Sequence, residues 1–242
     1  MEALGFTWDP AAVPTDIEVS SVERVLWRYR KAMPASVWDA AQLEGNPFTF
    51  PEVQTLMEGV TVGGRKLSDE RQVIGLADSA RLLDELVKAG QFGLDKATSD
   101  RLQYLIAKDE ALEAGCFRGE GRERSNVAVN LGEYGAHIPP PTEPGGDNLR
   151  ELFERGVLEL SAAAPFERAI AYFLFAAYRQ FYYDGNKRTG RAMMNGVLLS
   201  HGMDAISVPA ARRLEFNTRM VDFYRSADAS EMFAFMASCR MP

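Results

Sequence analysis

The sequence is poor in the side chains that most often bind metals or act as proton carriers. Among 242 residues it has two histidines and two cysteines. Cys116 and Cys239 lie far apart and lack the spacing of a metal site, so we expect free buried thiols in a reducing compartment. The two histidines, His137 and His201, are also isolated from each other. A metal site built from His and Cys ligands is therefore not predicted.

The sequence also lacks an excess of positively charged residues. The chain has 27 Lys and Arg against 34 Asp and Glu, which gives a formal net charge of −7. A broad nucleic-acid-binding surface needs a basic face, so nucleic acid is not an expected partner. The longest apolar run, residues 169–178, is too short to span a bilayer, and the first residues show no signal-peptide pattern. We therefore expect a cytoplasmic protein without a membrane segment.

What the sequence does contain is helical apolar spacing along most of its length. The spacing predicts a helix over residues 17–33 that ends at Pro34, followed by a short helical piece that stops near Gly45. Thr49 and Glu52 form a capping box that opens the next helix. Further helices are predicted over residues 68–88, 97–114, 147–160, 166–180, 187–201, 210–225 and 230–238. The fold class predicted is all-α.

One segment interrupts the helical pattern. Residues 126–141 combine an alternating stretch, two glycines and three prolines, which favours a small extended or hairpin segment. Composition also allows one or two domains in a chain of this length. We place the boundary at residues 92 and 93, with an N-terminal helical region over 1–92 and a core domain over 93–242.

The most informative stretch is QFYYDGNKRTGR, residues 180–191. It places one carboxylate, Asp184, before a glycine and several cations where a helix is predicted to begin. Cations are normally disfavoured at a helix N-terminus, and an anion such as phosphate would account for them there. Arg188 and Arg191 are three residues apart and share one helix face, where they could bind successive phosphates. Asp184 is a natural ligand for Mg²⁺ beside those phosphates.

A plainer interpretation remains open at this point. Asp-Gly-Asn is also a common turn sequence, and basic residues are commonly solvated. Short motifs of this kind are weak evidence on their own.

The order and spacing of the stretch resemble the signature of Fic-domain proteins. That signature has a histidine, a spacer with an aromatic residue, acid-Gly-Asn, a Gly or Lys, and Arg-x-x-Arg. The segment that begins at Val127 and ends at Ile138 resembles the family's target-docking flap, a small β-hairpin. Residues 40–46, AAQLEGN, resemble the N-terminal inhibitory motif, Ser/Thr-x-x-x-Glu-Gly/Asn. The resemblance covers the chain from about residue 36 onward, and it implies the mainly helical Fic fold with a β-hairpin flap.

The resemblance implies a function as well. Fic proteins generally transfer AMP from ATP, with Mg²⁺, to a hydroxyl group of a target protein. Asp184 would then hold Mg²⁺, and Arg191 would hold the terminal phosphate. Glu44 would pair with Arg191 and block productive placement of ATP. The residues that would bind the nucleotide are Gly185, Asn186, Lys187, Arg188, Gly190 and Arg191, and Asp184, Asn186 and Arg188 would take part in catalysis.

The chain departs from the family at the general base. The signature histidine falls at position 180, where this sequence has Gln180. A glutamine amide forms hydrogen bonds but does not accept a proton near neutral pH. Two smaller departures are Ala40, in place of the Ser/Thr of the inhibitory motif, and Lys187, in place of the more common glycine. Because lysine also occurs there in the related Doc-like kinases, the motif does not fix the type of reaction.

Two functional hypotheses follow from these residues. The first is a protein adenylyltransferase, or a related phosphate-group transferase, that modifies a target protein bound at the flap. The second is a non-catalytic Fic-fold regulator that binds ATP, another nucleotide or a partner protein. A DNA-linked regulator is a weaker alternative, since the chain is acidic. The oligomeric state is left open, with a homodimer as one option.

Overall fold

The computed structural model describes residues 2–240, and this part of the chain is mainly helical. It has nine α-helices, one two-stranded antiparallel sheet and three short 3₁₀ turns within the described residues. The helices are α1 (Val22–Leu43), α2 (Phe50–Met57), α3 (Leu67–Lys88), α4 (Lys96–Ala107), α5 (Asp147–Leu160), α6 (Pro165–Arg179), α7 (Asn186–Ser200), α8 (Arg213–Ser226) and α9 (Ser230–Ala237). The predicted fold class is confirmed.

Helices α6 and α7 form the centre of the molecule. Helix α6 is buried along most of its length, including the large side chains of Phe173 and Phe175. Gly190 lets α7 approach closely, because a Cβ at this position would lie 3.2 Å from the Phe173 carbonyl oxygen. Six residues, 180–185, connect the two helices. The cation-rich stretch, residues 180–191, therefore forms this connection and the first turns of α7.

Helix α1 corrects one prediction from the sequence. It starts at Val22, with Ser21 as its N-cap, and continues through Pro34 to Leu43. Proline removes one intrahelical hydrogen bond, but tertiary packing can hold a helix together across such a gap. Met33 and Val37 on either side of Pro34 are buried in the core. One continuous helix therefore carries Glu44 at its C-cap.

Helix α4 corrects a second prediction, because it ends at Ala107 and not near residue 114. Its last turn lies close to two other elements. A Cβ on Gly75 of α3 would lie 2.4 Å from the Leu105 carbonyl oxygen, and a Cβ on Gly185 would lie 3.2 Å from the Ala107 Cβ. The turn after α4, which contains Glu110, is thereby placed beside the start of α7.

The predicted hairpin is present. Strand β1 (Val129–Asn130) pairs antiparallel with β2 (Ala136–His137), so that Val129 lies opposite His137. The Arg225 guanidinium of α8 lies 4.0 Å from the centre of the Tyr134 ring in the hairpin turn. His137 Nε2 lies 2.7 Å from the Tyr178 carbonyl oxygen of α6. The hairpin therefore contacts both α6 and α8.

Buried apolar side chains from both sides of the predicted boundary at residues 92 and 93 belong to one cluster, from Leu4 to Cys239. The boundary itself stays a prediction. No helix among the described residues is long and apolar enough to cross a membrane.

The close contact between α3 and α4 gives a test of the packing. We expect Gly75→Ala to lower the free energy of unfolding by about 1–3 kcal/mol, because the new methyl group would meet the Leu105 carbonyl oxygen. Helix propensity acts in the opposite direction, by about 1 kcal/mol. Urea unfolding checks the sign. Gly63→Ala is the control, since nothing lies within 4 Å of a Cβ there. A gain in stability for Gly75→Ala would contradict the close packing.

Candidate functional site

The site is built on the turn between α6 and α7. Gln180 is the C-cap of α6 and has a φ of 51°, in the left-handed region. Gly185 is the N-cap of α7 with a φ of 78°, a conformation that favours glycine. Helix α7 begins at Asn186, so the cations Lys187, Arg188 and Arg191 lie on its first two turns. The predicted position of the cations at a helix N-terminus is confirmed.

Asn186 fixes the shape of this turn. Its Oδ1 accepts a hydrogen bond from the Tyr182 backbone N–H at 2.9 Å, and its Nδ2 donates to the Tyr182 carbonyl oxygen at 2.7 Å. The same Nδ2 lies 3.0 Å from Gln180 Oε1. The residue is buried. In this structure the Asn186 side chain therefore holds the loop together.

Gln180 uses both ends of its amide within the protein. Nε2 donates to the Ala177 carbonyl oxygen at 2.6 Å, while Oε1 accepts from Asn186. The Tyr224 hydroxyl donates to the same Ala177 carbonyl at 3.0 Å. Gln180 thus joins the last turn of α6 to the first residue of α7.

Arg118 stabilises the turn between α6 and α7 and was not identified from the sequence. Its side chain is fully buried. It donates from Nε to the Gln180 carbonyl oxygen at 2.7 Å and from Nη2 to the Pro140 carbonyl oxygen at 2.9 Å. Burial lowers the pKa of Arg118 to about 10. Because Gln180 caps the negative end of α6, the helix dipole partly compensates this buried cation.

Arg191 lies against the predicted inhibitory residue. Its Nη2 is 3.4 Å from Glu44 Oε1, and 9% of the Arg191 side chain is exposed. Burial alone would raise the pKa of the Glu44 carboxyl, but the charges of Arg191, Lys187 and Arg188 together lower it. The pKa of Arg191 is lowered, because burial outweighs the attraction of Glu44. The contact keeps Glu44 ionised without fully offsetting the burial of Arg191.

Arg188 has a different partner, which the sequence did not suggest. Its Nη2 lies 2.7 Å from Glu110 Oε2 and 3.2 Å from Asp184 Oδ1. Gln72 donates to the other Glu110 oxygen at 3.0 Å. Burial works against the charge of Arg188, but the hydrogen bond with Glu110 and the nearby carboxylates raise its pKa. Of the two arginines, Arg188 therefore has the closer carboxylate contact.

Lys187 lines the cleft together with Glu44 and the turn residues. Its pKa is lowered, because burial and the charges of Arg191 and Arg188 outweigh the attraction of Glu44 and Asp184. An added anion would therefore stabilise the charged form of this amine.

Asp184 is the residue that could hold a metal ion. Its side chain is about half exposed, at 52%. Oδ1 accepts hydrogen bonds from the Gly185 backbone N–H and from Arg188. No group of three or more metal-ligating side chains occurs among the described residues. A single accessible carboxylate fits Mg²⁺, which often binds through one carboxylate together with substrate phosphates.

Neither histidine lies at the position of the missing base. His137 packs between the rings of Tyr178 and Tyr224, with ring centres 4.3 and 5.0 Å away. Burial lowers its pKa. His201 follows the last turn of α7, where its Nδ1 lies 2.8 Å from the Val197 carbonyl oxygen.

The structure therefore brings most of the predicted residues together. The cleft is lined by Glu44, Gln180, Tyr183, Asp184, Gly185, Asn186, Lys187 and Arg188. Gly190 lies against α6, and Arg191 lines a second cavity behind the cleft. Glu110 was missed because its position was predicted to be helical, and Arg118 because a buried arginine has no local sequence signal.

Comparison with known proteins agrees with this geometry. Residues 94–198 match the model of the Fic/DOC family. The chain is 24% identical over 209 residues to "Protein adenylyltransferase Fic" of Drosophila erecta. It is 23% identical over 217 residues to the protein of the same name from Culex quinquefasciatus. These alignments cover 84% and 87% of this chain but 39% and 40% of the relatives. The chain thus spans about two fifths of their length.

Solved structures share the fold. A Fic-domain-containing signaling protein from Bacteroides thetaiotaomicron aligns with a TM-score of 0.70 at 19% identity, over 93% of this chain and 87% of that one. A Fic family protein from Desulfovibrio desulfuricans aligns with a TM-score of 0.68 at 17% identity, over 90% and 69%. The family model matched over residues 94–198, the Fic-named relatives and this shared fold together support a protein of the Fic/DOC family.

Proposed function

We propose that the protein binds the phosphates of a nucleoside triphosphate, with Mg²⁺, in the cleft at the N-terminus of α7. The main observation in support of this proposal is the cluster of Lys187, Arg188 and Arg191 on the first two turns of α7, next to a glycine in the left-handed conformation. The helix dipole and these side chains all favour an anion there. ATP is the proposed ligand, since the relatives named above are adenylyltransferases.

Glu44 is proposed to hold the cleft in an inhibited state. Its carboxylate contacts Arg191, and it also lines the cleft beside Lys187. The free volume of the cleft is about 70 Å³, whereas pockets for small ligands usually have 300–1,000 Å³. Movement of the Glu44 side chain would release the Arg191 donors and enlarge the cleft. Productive binding of ATP therefore competes with the pair of Glu44 and Arg191.

The proposed metal ligand is Asp184, whose half-exposed carboxylate lies at the cleft. Mg²⁺ bound there would neutralise part of the charge of the triphosphate. Arg188 would contact a neighbouring phosphate from the same side of the turn.

Transfer of AMP to a hydroxyl group is the reaction that the family relationship suggests, and Gln180 is the obstacle to it. Its side-chain amide is hydrogen-bonded to the Ala177 carbonyl oxygen and to the Asn186 side chain, and it does not accept a proton. A positioned general base contributes about 10²–10⁴-fold to rate. We therefore propose a nucleotide-binding Fic protein whose wild-type transferase activity is weak. A partner or target protein would bind along the flap, from Val127 to Ile138, in the cytoplasm.

The role of Glu44 can be tested by calorimetry with ATP and Mg²⁺. We expect Glu44→Gln to raise ATP affinity by about 10-fold, because the hydrogen bond that Arg191 donates to position 44 loses its charged acceptor and is easier to displace. Glu58→Gln is a matched control, since Glu58 is also a helix C-cap followed by a left-handed glycine. Equal affinities for wild type and Glu44→Gln would show that Glu44 does not restrict the cleft.

The role of position 180 can be tested by labelled AMP transfer in a cell lysate. In a Glu44→Gly background, we expect Gln180→His to raise the rate of transfer by about 10²–10⁴-fold, since it restores a general base. ATP binding by each variant is measured in parallel. If the double variant binds ATP and transfers nothing, the missing base is not what limits the reaction. If wild type transfers AMP as fast as the double variant, the proposal of weak activity is wrong.

Glu110 gives a test that needs no catalytic turnover. Glu110→Gln leaves Arg188 without its closest carboxylate. The pair is half-buried, so we expect a cost between the ~1 kcal/mol of a surface pair and the ~3–5 kcal/mol of a buried one. We expect a lower Tm, and a larger rise in Tm on adding ATP and Mg²⁺ than wild type shows, because phosphate replaces the lost charge. Asp109→Asn is the neighbouring control, since Asp109 pairs with Arg71 at the surface. A rise in Tm equal to that of wild type would contradict phosphate binding at Arg188.

A further inference from the structure

A small cavity lies behind the cleft, between α1, α3 and α7. Its volume is about 80 Å³. The walls are mostly apolar, with Val37, Leu76 and Ile106 among the lining residues. Arg188 and Arg191 also line this cavity. Each of the two arginines therefore lies between a carboxylate of the cleft region and this mostly apolar cavity.

Each guanidinium has a buried nitrogen, Nη1, without a hydrogen-bond partner among the described residues. In both arginines Nη2 contacts a carboxylate, Glu110 for Arg188 and Glu44 for Arg191. The side chains of the two arginines are only 4% and 9% exposed. Neither Glu44 nor Glu110 lines the cavity, so the two arginines that do line it bring buried, unpartnered Nη1 groups without a lining carboxylate.

The charge around the cavity is of one sign. No acidic side chain occurs among the described residues that line it, whereas two arginines do. A buried N–H of a charged group without an acceptor is costly, more so than that of a neutral group. The pKa of Arg191 is lowered by burial whereas that of Arg188 is raised, against its burial, by Glu110, so the unpartnered Nη1 atoms carry the argument. The two Nη1 groups therefore need an acceptor, preferably one with negative charge.

We propose that this cavity binds a small monovalent inorganic anion, such as chloride, between the Nη1 groups of Arg188 and Arg191. A cavity of about 80 Å³ has room for such an ion. Beyond the two guanidinium groups, the polar lining residues are Tyr29, Ser36, Ser79, Asn195 and Ser207, of which Ser36, Asn195 and Ser207 already donate to protein oxygens. A doubly charged oxyanion would need more donors than this to replace its hydration, so a monovalent ion fits better.

An entry route is present on the outer side of α1. A surface groove of about 750 Å³ runs between α1 and the segment around residues 204–209. The groove and the cavity share Tyr29, Ser36 and Ser207 as lining residues, so the two spaces adjoin there. The groove is lined by the cations Arg28, Lys31 and Arg240 and by the carboxylates Asp39 and Asp204, so its charge favours an anion only weakly. The ion would therefore approach from the groove side of α1, and it would share the guanidinium groups of Arg188 and Arg191 with the proposed nucleotide site.

Bromide, which replaces chloride and scatters anomalously, tests the proposal on the full chain. Crystals of the wild type grown in sodium bromide should show an anomalous peak within hydrogen-bond distance of Nη1 in both arginines. In solution, bromide should raise Tm by at least about 2 °C over gluconate at equal ionic strength, because an ion bound to the native state stabilises it. Water alone between the two Nη1 groups in the bromide crystals would overturn the proposal.

Two variants separate the cavity from the rest of the surface. Ala80→Leu places a larger side chain in the cavity, whereas Ala32→Leu makes the same change in the outer groove. We expect the bromide effect on Tm to be lost in Ala80→Leu and kept in Ala32→Leu. An equal bromide effect in wild type and folded Ala80→Leu would mean that the ion binds elsewhere. If Ala80→Leu does not fold, the anomalous map of the wild type decides.

Discussion

The structure depends on neutralising three cations at the N-terminal end of one helix. Lys187, Arg188 and Arg191 add positive charge where the dipole of α7 is already positive. The first turn of α7 contains no acidic residue. The compensating carboxylates must therefore come from other parts of the chain, apart from Asp184 just before the helix. Glu44 comes from the end of α1 and Glu110 from the turn after α4.

This requirement explains how the surrounding helices are placed. Helix α1 continues through Pro34 and carries Glu44 at its C-cap. Helix α4 ends early enough for Glu110 to lie in a turn and to reach Arg188. The same contacts that stabilise the folded protein occupy the donors that a phosphate would use. Stability without ligand and affinity for ligand are therefore in competition at this site.

The turn between α6 and α7 combines two opposite electrostatic environments. At its start, the negative end of α6 is contacted by the buried guanidinium of Arg118 through the Gln180 carbonyl oxygen. At its end, the positive end of α7 carries the cluster of cations. Arg118 also binds the Pro140 carbonyl, so the base of the hairpin is tied to the same turn. Displacement of the hairpin would therefore shift Arg118 and change its hydrogen bond with the Gln180 carbonyl oxygen.

The sequence predicted the local features of the site well. The turn glycine, the start of α7, the hairpin and the nearness of Glu44 to Arg191 all follow from short-range patterns or from family resemblance. The continuation of α1 through Pro34 was not predicted from the sequence. It arises because packing of the buried face of α1 outweighs the loss of one hydrogen bond. Glu110 and Arg118 were missed since long-range ion pairs and buried arginines depend on tertiary packing. Short-range patterns carry no information on which turn meets which helix.

Gln180 shows that the scaffold of the site and its chemistry are separable. The residue adopts a left-handed conformation that costs a non-glycine residue about 1–2 kcal/mol. Hydrogen bonds from its backbone N–H to the Ala176 carbonyl, and through its amide to Ala177 and Asn186, hold it there. An amide satisfies these contacts as a donor and an acceptor at once, without any change of protonation. Glutamine at this position therefore preserves the loop that presents Asp184 and the cations, while removing the proton acceptor. The proposed function, nucleotide binding with weak transfer, fits such a loop.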